Sequence, residues 1–206
     1  MTLPPTPLRE RDRLSILHGL GILDTPPDPA FDALTRLAAE MLAVPIALVS
    51  LVDAHRQWFK SRSGLARAET PREDAFCAHA IAGDGLFEVT DAFSDPRFHD
   101  NPLVTGDPGI RFYAGMPLRI EGHAVGTLCV IDRSPRRLDA YQRSLLAQLA
   151  GMAERQLALH GRLVAASLAD RRLGDFVAAS GDWAWETDGL RVCWVSDNVA
   201  QRPDDA

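Results

Sequence analysis

Cys77 and His79, in the run FCAHAI, are the residues whose types most readily suggest chemistry: a thiol and an imidazole two positions apart. Such a pair can ligate a metal, carry a redox step or act as nucleophile and base. On a helix, residues two apart point roughly 200° away from each other, which places these two poorly for sharing one ion. No C-x-x-C, H-x-x-x-H or paired-carboxylate spacing completes a metal set, and no nucleophile elbow supports a Ser-His-Asp triad. The plainer alternative is a buried free thiol beside a hydrogen-bonded histidine. Cys129, in GTLCVID, reads as a small core or pocket-lining residue in mid-strand. A Cys77–Cys129 redox pair would require the fold to bring the two sulfurs within bonding distance.

Arg111, Tyr113 and the Asp91/Asp95/Arg97 group are the stronger binding candidates. Arg111 sits near the start of a strand, beside a loop-rich segment, where a guanidinium can hold an anionic ligand group. The competing role is a salt bridge to Asp91 or Asp95 that fixes that segment. Arg56, Trp58 and Lys60 alternate along another strand, as charges do where they blunt a sheet edge.

The elements that would position these residues follow from periodicity. Thr6 and Pro7 suggest a helix from Pro7 to Leu20, and Asp28-Pro29 starts a second with an apolar stripe of Phe31, Leu34, Leu37, Met41 and Leu42. PIALVSLVD and RQWFKS read as strands turning at Ala54-His55. TPREDAFCAHAIAGDG reads as a helix, with Thr70 and Glu73 at capping-box spacing and Gly83 at its end. LFEVTD is a short strand, and AFSDPRFHDNPLVTGDPG a long connection holding one helical turn. RFYAGMPLRIEGHAVGTLCVID is a hairpin turning at Glu121-Gly122, with little charge on either alternating set. Short turns imply a mainly antiparallel sheet. Both of its faces need cover, and Thr127 and Cys129 mark the face expected to line a cavity roofed by Phe98 to Thr105.

From Asp139 the pattern becomes one long helix, with Asp139 and Gln142 at capping-box spacing. Leu145, Leu149, Met152, Gln156, Leu159, Leu163, Ala166, Asp170 and Leu173 alternate spacings of four and three, a coiled-coil seam with polar interruptions. Its first turns are expected on the sheet and the part beyond about Gln156 in a parallel homodimer. The last thirty residues return to alternation, with a hairpin-like Asp188-Gly189, and are too few to bury a core alone.

The 206 residues, 46% hydrophobic, suit one domain plus an appendage. A net charge of −6, with no basic stripe, argues against nucleic acid as a partner. No stretch approaches the ~18 apolar residues of a membrane span. Three cysteines at wide spacing do not make a disulfide framework, so a cytoplasmic setting without membrane insertion is expected.

The blocks GILDTPPDPAFDALTRLAAEML, PIALVSLVDAHRQWFKSRSGL, FCAHAI, DAFSDPRFHDNPLV and RFYAGMPLRIEGHAVGTLCVID resemble, in order, a bacterial GAF domain over about Arg9 to Leu157. DWAWETDGLRVCWVSDNV is similar to the opening strands of a PAS domain. The resemblance implies an α+β fold: a central antiparallel sheet with helices on one face and a roofed ligand pocket on the other, plus a long C-terminal helix. It divides the chain into a GAF domain at 1–157, an exit helix at 139–175 and an incomplete PAS segment at 176–206. It implies a signalling module that binds an unknown small ligand, with no assigned cofactor or metal, and relays its state to an absent histidine kinase or diguanylate cyclase. The ligand-binding set would be Cys77, His79, Asp91, Phe98, Arg111, Tyr113, Thr127 and Cys129, and the dimer helix would pair through Leu145, Leu149, Met152, Leu159 and Leu163. One GAF branch reduces free methionine sulfoxide with a cysteine cluster that these blocks lack. Another attaches bilin to a cysteine followed directly by histidine, where Ala78 intervenes here. A cysteine-using reductase and a ligand-free dimerisation scaffold are the alternatives.

Overall fold

The computed structural model describes residues 2–7, 9–180, 185–187 and 192–195. Glu121 and Gly122 adopt positive φ, 50° and 81°, the left-handed pair a two-residue hairpin needs. They join β5 (Phe112–Ile120) to β6 (His123–Asp132). Beyond β6 lie β1 (Ile46–Val52), β2 (Arg56–Ser63) and β3 (Glu69–Pro71), and β4 (Phe87–Val89) closes the other edge on β5. Every neighbouring pair is antiparallel.

Period two divides the central strands between two cores. Ala47, Val49 and Leu51 of β1 and Leu128 and Val130 of β6 belong to one, with α1 (Glu10–Gly19), α2 (Pro29–Met41) and part of α5 (Ala140–Ser180). Ile46, Leu48, Cys129 and Ile131 belong to the other, beneath α3 (Phe76–Ala80), α4 (Pro102–Thr105) and the connection between β4 and β5. The water-poor second face is thus covered by protein side chains.

Local signals were overridden at several ends. α1 starts at Glu10, not Pro7, and Arg9 enters it at φ 61° with no side-chain cap. Glu10 instead binds Arg13 and Arg72, and the buried Arg13 donates to Val52 O at 2.6 Å. α2 is capped by Asp28, as expected, but it buries Phe31, Leu34, Thr35 and Ala38 while Leu37 and Met41 are exposed. The Thr70–Glu73 capping box does not form, because Glu69–Pro71 pairs with Arg56–Trp58 as β3, and α3 keeps only Phe76–Ala80. Strand pairing wins there over local propensity. β3 also pairs with Arg56–Trp58, so Arg56 and Trp58 do not blunt a free edge, and Lys60 is buried. Arg56 pairs with Asp24 and Glu69, and buried Lys60 Nζ donates to Thr25 Oγ1 and Pro26 O.

The Asp139–Gln142 capping box does form, each side chain accepting from the other's backbone N–H. Leu146, Leu149, Ala150, Ala153 and Leu157 of α5 are buried, whereas Met152, Leu159 and Leu163 are exposed. Leu149 therefore belongs to the domain core and not to a free dimer seam; Leu145 is half-buried. The chain divides into two units, Met1–Gly161 and Arg162–Ala206. In the second, β7 (Trp185–Thr187) pairs antiparallel with β8 (Val192–Val195), and the expected Asp188-Gly189 turn lies outside the described residues. Among the described residues no helix is long and apolar enough to cross a membrane.

Candidate functional site

α3 is short, yet it aims Cys77 into the sheet. The Cys77 sulfur accepts from Tyr113 Oη of β5 at 3.2 Å and from Thr127 Oγ1 of β6 at 3.1 Å, and Cys129 Sγ is 3.8 Å away. Ser50 of β1, cross-strand to Thr127, adds a third buried hydroxyl beside this sulfur and has no other hydrogen-bond partner among the described residues. Burial alone would push the Cys77 thiol up. Hydrogen bonds from Cys129, Ser50, Thr127 and Tyr113 outweigh it and hold Cys77 below the ordinary thiol value. Burial, with Cys77 as neighbour, instead pushes Cys129 and Tyr113 well up. The two thiols are unequal: Cys77 is where negative charge is stabilised.

The roof over this cluster is aromatic. Fully buried Phe98 stacks on Phe76, with ring centroids 4.1 Å apart and planes at 11°, and Phe76 lies 5.2 Å from Tyr113. His79, on the opposite side of α3 from Cys77, meets Phe98 edge-on at 4.8 Å. Burial and the Arg97 charge hold the His79 imidazole below its ordinary value, with Asp95 opposing them. Cys77 and His79 thus point into different environments, and among the described residues no group of three His, Cys, Asp or Glu is placed to hold a metal ion.

The expected open cavity against Thr127 and Cys129 is instead filled by these side chains. A space of about 20 Å³ lies to one side, between Phe59, Leu103 and Ile110, with Cys77 and Tyr113 in its wall. It is large enough for one water-sized molecule. Gln57 Oε1 and Thr70 Oγ1, buried without partners among the described residues, belong to lining residues. Exposed Arg67 is also in its wall.

Asp91 and Arg111 meet each other in a two-pronged ion pair, at 2.8 and 2.9 Å, so the guanidinium is committed to fixing the connection. The Arg111 bond, reinforced by Ser94 Oγ and Phe93 N–H and opposed by desolvation, lowers Asp91 to about 2. Asp95 pairs likewise with Arg97.

Two positions of the candidate site and its supports escaped the sequence reading. Ser50 had a signal, a lone hydroxyl inside the buried run IALVSLV. Glu154 had none, being one charge among many on a long helix. Its carboxylate accepts from the Arg119 backbone N–H at 2.6 Å, where the β5–β6 register shifts between Leu118 and Arg119.

A family model for the GAF domain matches residues 26–157. Over 137 residues the chain is 50% identical to a cyclic di-GMP phosphodiesterase of Pseudomonas aeruginosa, an alignment covering 66% of this chain and 23% of that protein. The chain therefore spans about a quarter of that curated relative. Among solved structures, the GAF domain of an Acinetobacter phosphoenolpyruvate-protein phosphotransferase superposes with a TM-score of 0.55 at 16% identity, covering 72% of this chain and 92% of that one. A free methionine-R-sulfoxide reductase from Neisseria meningitidis, solved with its substrate, gives 0.54 at 19% identity, covering 75% and 90%. At such identities these superpositions speak for the fold.

Proposed function

The chain belongs to the GAF domain family, and from that premise we propose that it is a cytoplasmic sensor module of a cyclic di-GMP signalling protein. The state of the roofed face is its input, and a parallel dimer of α5 helices carries that state to an output domain. The 50% identity to part of a cyclic di-GMP phosphodiesterase supports this choice of output over a histidine kinase or a diguanylate cyclase. The chain itself acts as regulator and not as catalyst.

One observation carries the relay. β5 touches the roofed face through Tyr113 and grips α5 through the Arg119 N–H to Glu154 bond. A change in roof packing that shifts β5 therefore has a direct hydrogen-bonded route to the helix. Phe76 lines the small cavity and stacks on Phe98, so a ligand that enlarges the cavity past Phe76 moves the roof with it. The filled face also favours a second reading, a ligand-free scaffold that only dimerises. Mass spectrometry of small molecules released from the purified chain, with hydrogen exchange along α5 before and after their removal, separates the two. A released molecule whose removal alters exchange in α5 supports the sensor. An empty chain whose α5 exchange is unaffected by Phe98→Ala supports the scaffold.

A further inference from the structure

We propose that Cys77 and Cys129 form a hydroperoxide-responsive thiol pair, in which Cys77 is oxidised first and Cys129 resolves it to an intrachain disulfide. The inference rests on the reading of the roofed face as the input of a sensor, and it supplies the chemistry of that input.

Three geometric observations converge on it, and the inequality of the two thiols agrees with them. The sulfurs are already in contact at 3.8 Å, on two elements that are separate in sequence, so a disulfide requires side-chain rotation and a small approach of α3 to β6. Cys77, and not Cys129, is in the wall of the 20 Å³ cavity, so a small oxidant meets Cys77 first. Tyr113 and Thr127 already donate to Cys77, and Ser50 is a buried hydroxyl with no other partner among the described residues, ready for the thiolate. The cavity wall and the hydroxyl donors thus assign Cys77 as the attacking sulfur, and the lowering of its thiol by those same donors agrees, since the thiolate is the nucleophile and its partner the resolving group.

The chemistry balances with a hydroperoxide as oxidant. The Cys77 sulfur attacks the nearer peroxide oxygen, the O–O bond breaks, and the thiol's proton leaves with the departing oxygen, as water when the oxidant is hydrogen peroxide. Cys77 is then a sulfenic acid, oxidised by two electrons. The Cys129 sulfur attacks the Cys77 sulfur, the S–O bond breaks, and the hydroxyl departs with the Cys129 proton as a second water. The disulfide withdraws the Cys77 sulfur from Tyr113 and Thr127 and moves the neighbouring Phe76 against Phe98. A thiol reductant returns the pair to its starting state.

The test uses the purified chain carrying Cys193→Ser, reduced and then exposed to hydrogen peroxide. The expected result is an intact mass lower by two hydrogens, with a peptide linking residues 77 and 129 that reductant abolishes. Cys129→Ser should stop at a dimedone-reactive sulfenic acid on Cys77, and Cys77→Ser or Cys77→Ala should leave Cys129 reduced. Cumene hydroperoxide should react roughly tenfold more slowly or worse, because its aryl group is far larger than hydrogen peroxide and the cavity holds only about 20 Å³. Oxidation of Cys129 in either Cys77 variant at the parent rate would overturn the proposal. So would both thiols staying reduced under conditions that oxidise Cys193 in the natural chain. If the disulfide forms while hydrogen exchange in α5 is unchanged, the thiol pair stands and the relay reading fails.

Discussion

Tyr113 lies across Gly115. A Cβ at position 115 would stand 2.1 Å from the phenol oxygen and 2.7 Å from Cζ, so glycine is what lets the ring lie along the strand and reach Cys77. Gly115→Ala must swing the phenol away. The overpacking should cost about 1–3 kcal/mol, read as a lower urea midpoint. Tyr113→Phe keeps the ring and loses the donor, which should cost about 1 kcal/mol. Both changes should raise the Cys77 thiol, measured by thiolate absorbance against pH. An unchanged urea midpoint and thiol titration in Gly115→Ala would show that the ring is not held this way.

Glu154 tests the grip of the sheet on α5. Glu154→Ala leaves the Arg119 N–H without its acceptor and should cost about 1–3 kcal/mol. Glu154→Gln keeps an acceptor and should recover much of that loss. Hydrogen exchange at the Arg119 amide should rise in the first variant and stay low in the second. Equal protection in both would mean that the bond does not hold α5.

The Asp91–Arg111 pair sets a pH signature. Asp91 titrates at about 2 in the folded chain, against roughly 3.9 in an unfolded one. A lowered folded value means that the stabilisation is fully present above the unfolded value and is lost as pH falls through about 2. Arg111→Met should therefore melt below wild type by a constant margin from neutral pH down to roughly pH 4, the unfolded carboxylate range. That margin should narrow below this point, be mostly lost by about pH 2, and shrink in high salt. A margin still undiminished at pH 2 would assign the effect to packing of the Arg111 stem.

The sheet was legible because its signals are local and agree with one another: alternation in GTLCVID, a left-handed pair at Glu121-Gly122, and Asp28-Pro29 before an apolar stripe. The capping box at Thr70 was legible and misleading, because a neighbouring strand offered Glu69–Pro71 a better set of partners. The candidate site was half legible. Cys77, Tyr113, Thr127 and Cys129 all meet, but alternation alone cannot say whether facing side chains leave a space or fill it. Phe76 and Phe98 decided that, and they lie 22 positions apart in the sequence. Arg111 was correctly paired with two possible partners; only the fold shows that Asp91 takes both of its prongs.

The same distinction between facing inward and facing water governs assembly. Leu149 is 5% exposed, among Leu146, Ala150 and Ala153, whereas Leu159 and Leu163 are 46% and 63% exposed. Pairing of two chains would bury those leucines, at roughly 1.5–3 kcal/mol for each side chain fully covered. Gln156 and Asp170 fall on the same seam and weaken it, which suits a helix that changes register in response to a signal. Leu159→Asp with Leu163→Asp should therefore give a folded monomer by light scattering, with an unchanged circular dichroism melt of the sheet domain. Leu149→Asp should act differently, because it buries a carboxylate in an apolar core. It should cost several kcal/mol and unfold the domain instead of dissociating it. A double variant that remains dimeric would place the interface elsewhere on the GAF domain, and a Leu149→Asp chain that stays folded would return that residue to the seam.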